Sequence, residues 1–298
     1  MTISNSKISL LKLLAGSICI SFSPIFIRVA NTDPDLAGFY RMLFAGVSLF
    51  ILFVLRKEKL NISKRPMIFL VCCGIFLAID FMFWHRSINL IGPGLSTLLG
   101  NFQVFFTAVF SWLFFKERIS ALFALAILLA LTGLLLITGI DFPALSGGIK
   151  TGISFALITA VLYSFYILSM KRAMDKSAIS GISAMLVISI SSTLLLAAIG
   201  LAKGTPFAIT DSRSLLALAG VGIISTTLGW SMITSAMKTV AATAVSLILL
   251  LQPALSFLWD ILLFKRPTSG YEYLGIALIL LAIYFGSLRK KENPTGSP

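Results

Sequence analysis

The chain has 298 residues, of which 58% are hydrophobic and only 12% charged, where soluble domains carry about a quarter charged residues. A mean hydropathy of +1.00 excludes a water-soluble fold, and because a span uses roughly 20 apolar residues, ten spans leave no room for a separate soluble domain. The formal charge of +13 comes from 24 basic and 11 acidic residues; these sit mainly in loops, so they speak to membrane orientation and not to a nucleic-acid partner.

Uninterrupted apolar runs predict spans over residues 9–29, 36–55, 67–86, 93–114 and 119–139 in a first half, and over 149–169, 179–201, 214–236, 241–263 and 271–288 in a second. The first run begins with Lys7 and Lys12 and stays apolar through Ile27, too long for a signal-peptide core, so it reads as a retained helix. Cys19, Cys72 and Cys73 fall inside apolar runs with no disulfide or metal spacing and read as small hydrophobes. The fold class is an all-α polytopic membrane protein of ten transmembrane helices, with one unit over 1–140, a second over 149–290 and a disordered tail over 291–298.

Placing the N-terminus inside puts sixteen basic residues on the inner side, from Lys7 and Lys12 through Arg56, Lys57 and Lys59 to Lys290 and Lys291, against six in the outer loops. That bias predicts N-in and C-in in a bacterial inner membrane, in agreement with an even number of spans. Gln103 and Phe115-Lys116 close span four; Gln252 and Phe264-Lys265 close span nine, each pair 149 residues apart. A duplicated unit of five spans must insert with opposite sense the second time. The result is an inverted repeat, the architecture of many secondary transporters, with the substrate site near the repeat interface.

Three stretches resemble the EamA type of the drug/metabolite transporter superfamily, over nearly the whole chain. Span two reads Pro34-Asp35-Leu36-Ala37-Gly38-Phe39-Tyr40-Arg41-Met42-Leu43-Phe44-Ala45, with Arg41 as its anchor. Span four runs from Ser96-Thr97 through Gln103 to Phe115-Lys116-Glu117-Arg118, and the Glu117-Arg118 pair is its most specific piece. The second copy keeps the helix proline as Gln252-Pro253 and replaces Glu-Arg by Arg266-Pro267, while the first copy has Val104 at the proline position. Span one departs from the family, with Ser21-Phe22-Ser23-Pro24 where many relatives have a Trp-Gly start. The resemblance implies ten helices around a central cavity and, in many members, export of amino acids or other metabolites.

Ionisable groups inside a bilayer cost roughly 2.5–3.5 kcal/mol each, so those retained are candidate functional sites. Here they are Arg28, Arg41, Asp80, His85 and Asp260, all in the outer half under this topology. Arg41 and Asp80, of opposite charge at similar depth in consecutive spans, are expected to pair. Asp80 and His85 are the candidates for proton coupling, with an interfacial role as the plainer reading of His85. Ser17, Ser21, Pro24 and Arg28 recur at helical spacing along span one; Thr159, Tyr163 and Tyr166 share a face of span six. Trp84, Tyr163, Tyr166 and Trp230 suit a zwitterionic or cationic substrate, since a cation over an aromatic face gains roughly 0.5–2 kcal/mol; membrane-interface anchoring is the alternative. Asn101, Gln103 and Gln252 complete the predicted pathway, Gln103 and Gln252 being either substrate contacts or interhelical glue. Pro24 and Pro253 are the expected hinges.

An intramembrane enzyme lacks support, because one histidine and no clustered metal ligands, phosphate-cradling loop or nucleophile elbow leave the usual chemistry without residues. No cofactor is called for. A non-transporting sensor would need an output domain, and a nucleotide-driven pump a Walker A sequence. What remains is a secondary transporter: export of an amino acid or similar small polar metabolite first, then multidrug or cation efflux, then uptake of a scavenged metabolite. Its partners are the substrate, the lipid bilayer and, where coupled, a proton; a homodimer is compatible with the sequence.

Overall fold

The structure, a computed structural model, describes residues 3–30, 32–116, 121–138, 148–175, 177–209, 211–264 and 269–287. The side chains of Pro24, Arg28, His85 and Asp260 lie outside that description, as do Glu117-Arg118, Arg266-Pro267 and the tail over 291–298. Among the described residues there is no strand. The helices are α1 (Ile3–Ser21), α2 (Ser23–Ala30), α3 (Pro34–Leu55), α4 (Lys64–Gly100), α5 (Gln103–Phe115), α6 (Ala121–Thr138), α7 (Ile149–Met174), α8 (Gly181–Lys203), α9 (Ser212–Gly220), a π-helix (Val221–Trp230), α10 (Ser231–Ala236), α11 (Ala242–Ile248), α12 (Leu251–Phe264) and α13 (Gly270–Ser287).

Among the described residues seven helices are long and apolar enough to cross a membrane, and three shorter apolar helices accompany them. Their surface carries bare apolar side chains, such as Phe50 at 58% exposed and Leu194 at 66%, which lipid solvates and water does not. Helix starts are fixed locally. The Asp33 carboxylate accepts from the backbone N–H groups of Asp35 at 2.9 Å and Leu36 at 3.3 Å, and Pro34 takes the first helical position, where no N–H is needed. Ser180 does the same for α8, accepting from the Ser183 N–H at 3.0 Å.

Spans three and four are not joined by the expected loop: α4 is helical from Lys64 to Gly100. It nevertheless doubles back. Thr159 lies on the carbonyl of Asp80 at 3.5 Å and also 3.7 Å from where a Gly100 Cβ would stand, while a straight helix would hold residues 80 and 100 about 30 Å apart. The reversal falls between Ile91, which packs on Gly152, and Gly100. That stretch contains Gly92-Pro93-Gly94, where proline removes a backbone bond and glycine tolerates a sharp bend.

Helix partners come in sets that survive exchange of the two halves. α3 packs on α8 and α6 on α13, each pair being repeat-mates, while α4 on α7 is matched by the π-helix and α10 on α1, and α5 on α7 by α12 on α1. Repeat-mates run antiparallel: Asp35 meets Lys203, Gly38 meets Leu196 and Gly46 meets Ser189 along α3 and α8. A shift of 149 residues carries both ends of α6 onto both ends of α13. The chain is therefore an inverted repeat about a pseudo-twofold axis. Close approach relies on glycine: a Cβ on Gly16 would stand 2.7 Å from the carbonyl oxygen of Gly229, and one on Gly133 2.5 Å from that of Gly275.

Spans four and nine are both broken. At Asn101-Phe102 the backbone tightens to i→i+3 bonds, Phe102 to Leu99 at 3.0 Å and Phe105 to Phe102 at 2.9 Å; at Leu249-Leu250 it does so again, Leu250 to Leu247 at 3.1 Å and Gln252 to Leu249 at 3.0 Å. Pro253 consequently stands in the first turn of α12, where its missing N–H costs nothing, and the discontinuity lies ahead of it. Pro24 likewise is the second residue of α2, after a turn at Phe22. Both prolines start helices; neither kinks a continuous one.

Candidate substrate pathway

The polar residues of the interior gather where the two halves meet, close to the broken helices. Arg41, eight residues into α3, extends its guanidinium across the repeat interface: Nε donates to Thr226 Oγ1 in the π-helix at 3.0 Å, and the guanidinium carbon lies 5.3 Å from the centre of the Phe81 ring. The expected Arg41–Asp80 ion pair does not form. Asp80 is 5% exposed and lies near Arg41, Tyr163 and Tyr166, yet its Oδ1 is buried with no hydrogen-bond partner. Similar depth brought the two side chains together, but their bearing around the helix axes aims Arg41 at the π-helix.

Across from Asp80 stand three aromatic rings. Tyr163 and Tyr166 of α7 stack at 5.7 Å, and Trp230 meets Tyr163 at 6.1 Å and Tyr166 at 5.0 Å, edge to face in both cases. Tyr166 is fully buried and its hydroxyl also lacks a partner. The Tyr163 hydroxyl lies near the side chain of Gln252 at the start of α12. A buried polar atom without a partner costs free energy, which a ligand group that supplies the missing bond would recover.

Gln103 behaves differently from its repeat-mate. Its Oε1 accepts from Ser246 at 2.5 Å and from Thr107 at 3.3 Å, and its Nε2 donates to the Ser246 carbonyl at 3.4 Å; its own carbonyl accepts from Ser164 at 3.0 Å. The amide is spent on joining spans four and nine. Asn101 lies half-buried at the break ahead of it, and Trp84, half-buried, lies one turn beyond Asp80 on α4. In span one, Ser21 accepts from the Trp259 indole N–H at 2.7 Å, its carbonyl accepts from Ser256 at 2.8 Å, and Phe22 stacks on Trp259 at 4.8 Å. That joint to span nine accounts for Ser21 in the polar stripe along span one.

Sequence reasoning passed over Thr226, Ser246 and Phe81. The run Ser225-Thr226-Thr227 in mid-span was the available signal, since three consecutive hydroxyls in hydrocarbon need three acceptors. They find them on both sides: Ser225 donates to the Cys19 carbonyl at 3.1 Å and Thr227 to that of Ala45 at 3.4 Å.

Within the cluster Gln103 is 2% and Trp230 3% exposed, while Arg41, Tyr163 and Gln252 are half-buried. A guanidinium and a carboxylate that do not neutralise each other, set beside aromatic rings, are groups suited to a small molecule carrying both charge signs.

Residues 7–139 and 150–288 each match the model of the EamA-like transporter family. An uncharacterized transporter of Clostridium kluyveri is 24% identical over 257 residues, covering 80% of this chain and 78% of the relative. Uncharacterized transporter YxxF of Bacillus subtilis is 22% identical over 247 residues, covering 77% and 72%. A solved crystal structure superposes with a TM-score of 0.82 at 16% identity, over 97% of this chain and 98% of the other, a likeness of fold alone.

Proposed function

Because the chain belongs to the EamA-like transporter family and is thus a multi-pass membrane transporter, we propose that it is a secondary transporter exporting an amino acid or similar small polar metabolite by alternating access. The observation that carries this reading is the polar cluster at the repeat interface, where Asp80 Oδ1 and the Tyr166 hydroxyl are buried without partners beside a guanidinium held by Thr226. Arg41 would receive a substrate carboxylate, and Asp80 with the ring faces of Tyr163, Tyr166 and Trp230 a substrate ammonium group. Gln252 borders the same space; Trp84 and Asn101 lie at its margins, and Gln103 holds the break beside it.

Asp80 is also the group proposed to exchange a proton as the pathway opens, His85 being the alternative. The excess of basic residues on one side supports N-in, C-in insertion in an inner membrane. Multidrug or cation efflux is the second reading, favoured by the three aromatic rings; it omits a role for Arg41.

The test is transport by purified protein in proteoliposomes against a panel of amino acids, other zwitterions and organic cations, with and without an imposed pH gradient. Saturable transport of a zwitterion that is lost in Arg41→Gln and weakened in Asp80→Asn supports the reading. Transport of organic cations alone, unaffected by Arg41→Gln, replaces it with the second.

A further inference from the structure

The repeat-mates α3 and α8 are tied together at both ends by side chains outside the polar cluster. At one end, Lys203 Nζ meets Asp35 Oδ2 at 2.8 Å, both side chains about one-third exposed. The loop after α8 folds over this tie: the Tyr40 hydroxyl donates to the Phe207 carbonyl at 2.6 Å, and the Phe207 ring packs edge-on against Phe39 at 4.9 Å. At the other end, the Glu58 carboxylate accepts from the hydroxyls of Ser180 and Ser183, the latter at 2.6 Å, at the very start of α8. α3 is about 33 Å long, so the two ties stand at opposite faces of the membrane.

These ties are equivalent under the pseudo-twofold axis. Exchanging the halves carries the start of α3 onto the start of α8 and the loop after α3 onto the loop after α8. Each loop begins with a left-handed residue, Lys57 at φ 51° and Gly204 at φ 68°, which turns the chain back towards the helix start of its mate. Two copies of one device, one per membrane face, are what alternating access requires: each must release while the other holds. The Asp35–Lys203 tie is exposed and the Glu58 tie partly buried at a helix end, so water can replace the first at small cost and reach the second once the ends part. The apolar contacts along α3 and α8 between them have no such replacement.

We infer that Asp35–Lys203 and Glu58–Ser180/Ser183 are the two gate clasps of the transport cycle, and that the structure has both shut. Each controls access from its own face to the cluster around Tyr163. This inference rests on the alternating-access reading and not on the identity of the substrate.

The test uses the full chain in oriented membrane vesicles, with Cys19, Cys72 and Cys73 replaced by alanine and Thr159→Cys, one turn from Tyr163, as reporter. A membrane-impermeant maleimide is applied from either face and the labelling rate read from each. Asp35→Asn should raise labelling from the face carrying residue 35 by up to about five-fold, the population ratio an exposed ion pair is worth, and leave the other face unchanged or slower. Glu58→Ala, which removes two charge-assisted bonds, should raise labelling from the opposite face by at least about ten-fold, the ratio that the loss of one such bond is worth. The swap Asp35→Lys with Lys203→Asp should return the first rate towards the parent's, which a misfolded variant cannot do. Equal acceleration at both faces, or none at either, overturns the inference. Selective labelling in a protein that transports none of the panel compounds would keep the clasps and remove only the substrate assignment.

Discussion

Thr226→Val removes one oxygen and keeps the shape of the side chain, so it isolates the contact between Arg41 and the π-helix. Two bonds go: the 3.0 Å bond from Arg41 Nε and the 3.3 Å donation to the Val221 carbonyl. Losing a hydrogen bond to a charged group costs about 1.5–3 kcal/mol in water-soluble proteins, whereas interhelical bonds in membranes average about 0.6 and reach about 1.7 kcal/mol. Thr226 is 1% exposed, so water cannot step in, and the two ranges overlap near 1.5 kcal/mol, which is about a tenfold factor in an equilibrium. If Arg41 must stay aimed away from Asp80 for both to meet substrate, the variant frees the guanidinium to neutralise the carboxylate. Transport of whichever panel compound the wild type carries should then fall about tenfold, while Thr226→Ser, which keeps the acceptor, retains it. The assay is initial-rate uptake into proteoliposomes at matched protein, with a melting curve to show that both variants fold. Wild-type rates in well-folded Thr226→Val would refute the positioning argument.

Asp80→Asn should leave a folded transporter whose rate no longer responds to an imposed pH gradient; a pH response unchanged in both Asp80→Asn and His85→Ala would remove proton coupling through either group. Gly133→Val places a branched side chain where even a Cβ stands 2.5 Å from the Gly275 carbonyl oxygen, and overpacking of this kind costs about 1–3 kcal/mol; the melting temperature should drop in Gly133→Val and less in Gly133→Ala. Ser246→Ala breaks the 2.5 Å bond to Gln103 and should lower stability by about 0.6–1.7 kcal/mol without changing which panel compound is carried. Asp211 caps α9 and its carboxylate is held below its ordinary range by bonds from the Ser214 hydroxyl, the Ser214 N–H and the Arg213 N–H. With the folded value depressed, its stabilisation is present above the unfolded pKa of about 3.9 and is lost as pH falls through the folded value. Asp211→Ala should therefore lower the melting temperature at pH 7 and have little effect well below that range.

The spans were legible because lipid imposes one solvent on a long stretch of chain, and apolar run length reports it directly. Span ends were less so, and α7 shows why. The apolar run ends at residue 169, but the helix continues to Met174 because Lys171 donates to the Met237 carbonyl at 2.8 Å and Arg172 lies over the Phe115 ring at 4.6 Å. Polar residues that look like a loop are here the helix's anchor to its neighbours. The repeat was legible in Gln103 and Gln252, but the helix breaks beside them were not. A shift from i→i+4 to i→i+3 bonds leaves no mark in composition, and the proline that drew attention lies one turn past the break. The polar cluster was recovered as a set of residues without its wiring. Depth in the membrane follows from position in a span, whereas the direction a side chain faces depends on how helices pack, so opposite charges at one level suggested a pair that the packing does not make.

The two halves share an architecture, and the interior departs from symmetry where the candidate chemistry lies. Gln103 is consumed by Ser246 and Thr107, while its mate Gln252 lies near Tyr163. Span three is regular α-helix through Asp80, while its mate is π-helical from Val221 to Trp230, a rare conformation that recurs at functional sites. The clasps, by contrast, keep the symmetry in position though not in chemistry, an ion pair at one face and a carboxylate on two hydroxyls at the other. Such a division has a physical reason. Opening to two faces calls for equivalent motions and so preserves the duplicated frame, whereas one substrate with unlike ends cannot be bound by two like half-sites. An asymmetric pocket within a symmetric frame is therefore what a carrier of a small zwitterion requires. It also makes the interior the region where the halves tolerate least exchange: swapping Gln252 into a Gln103-like setting, by giving it a serine partner from span four, should slow transport while the clasps and the labelling pattern they control remain intact.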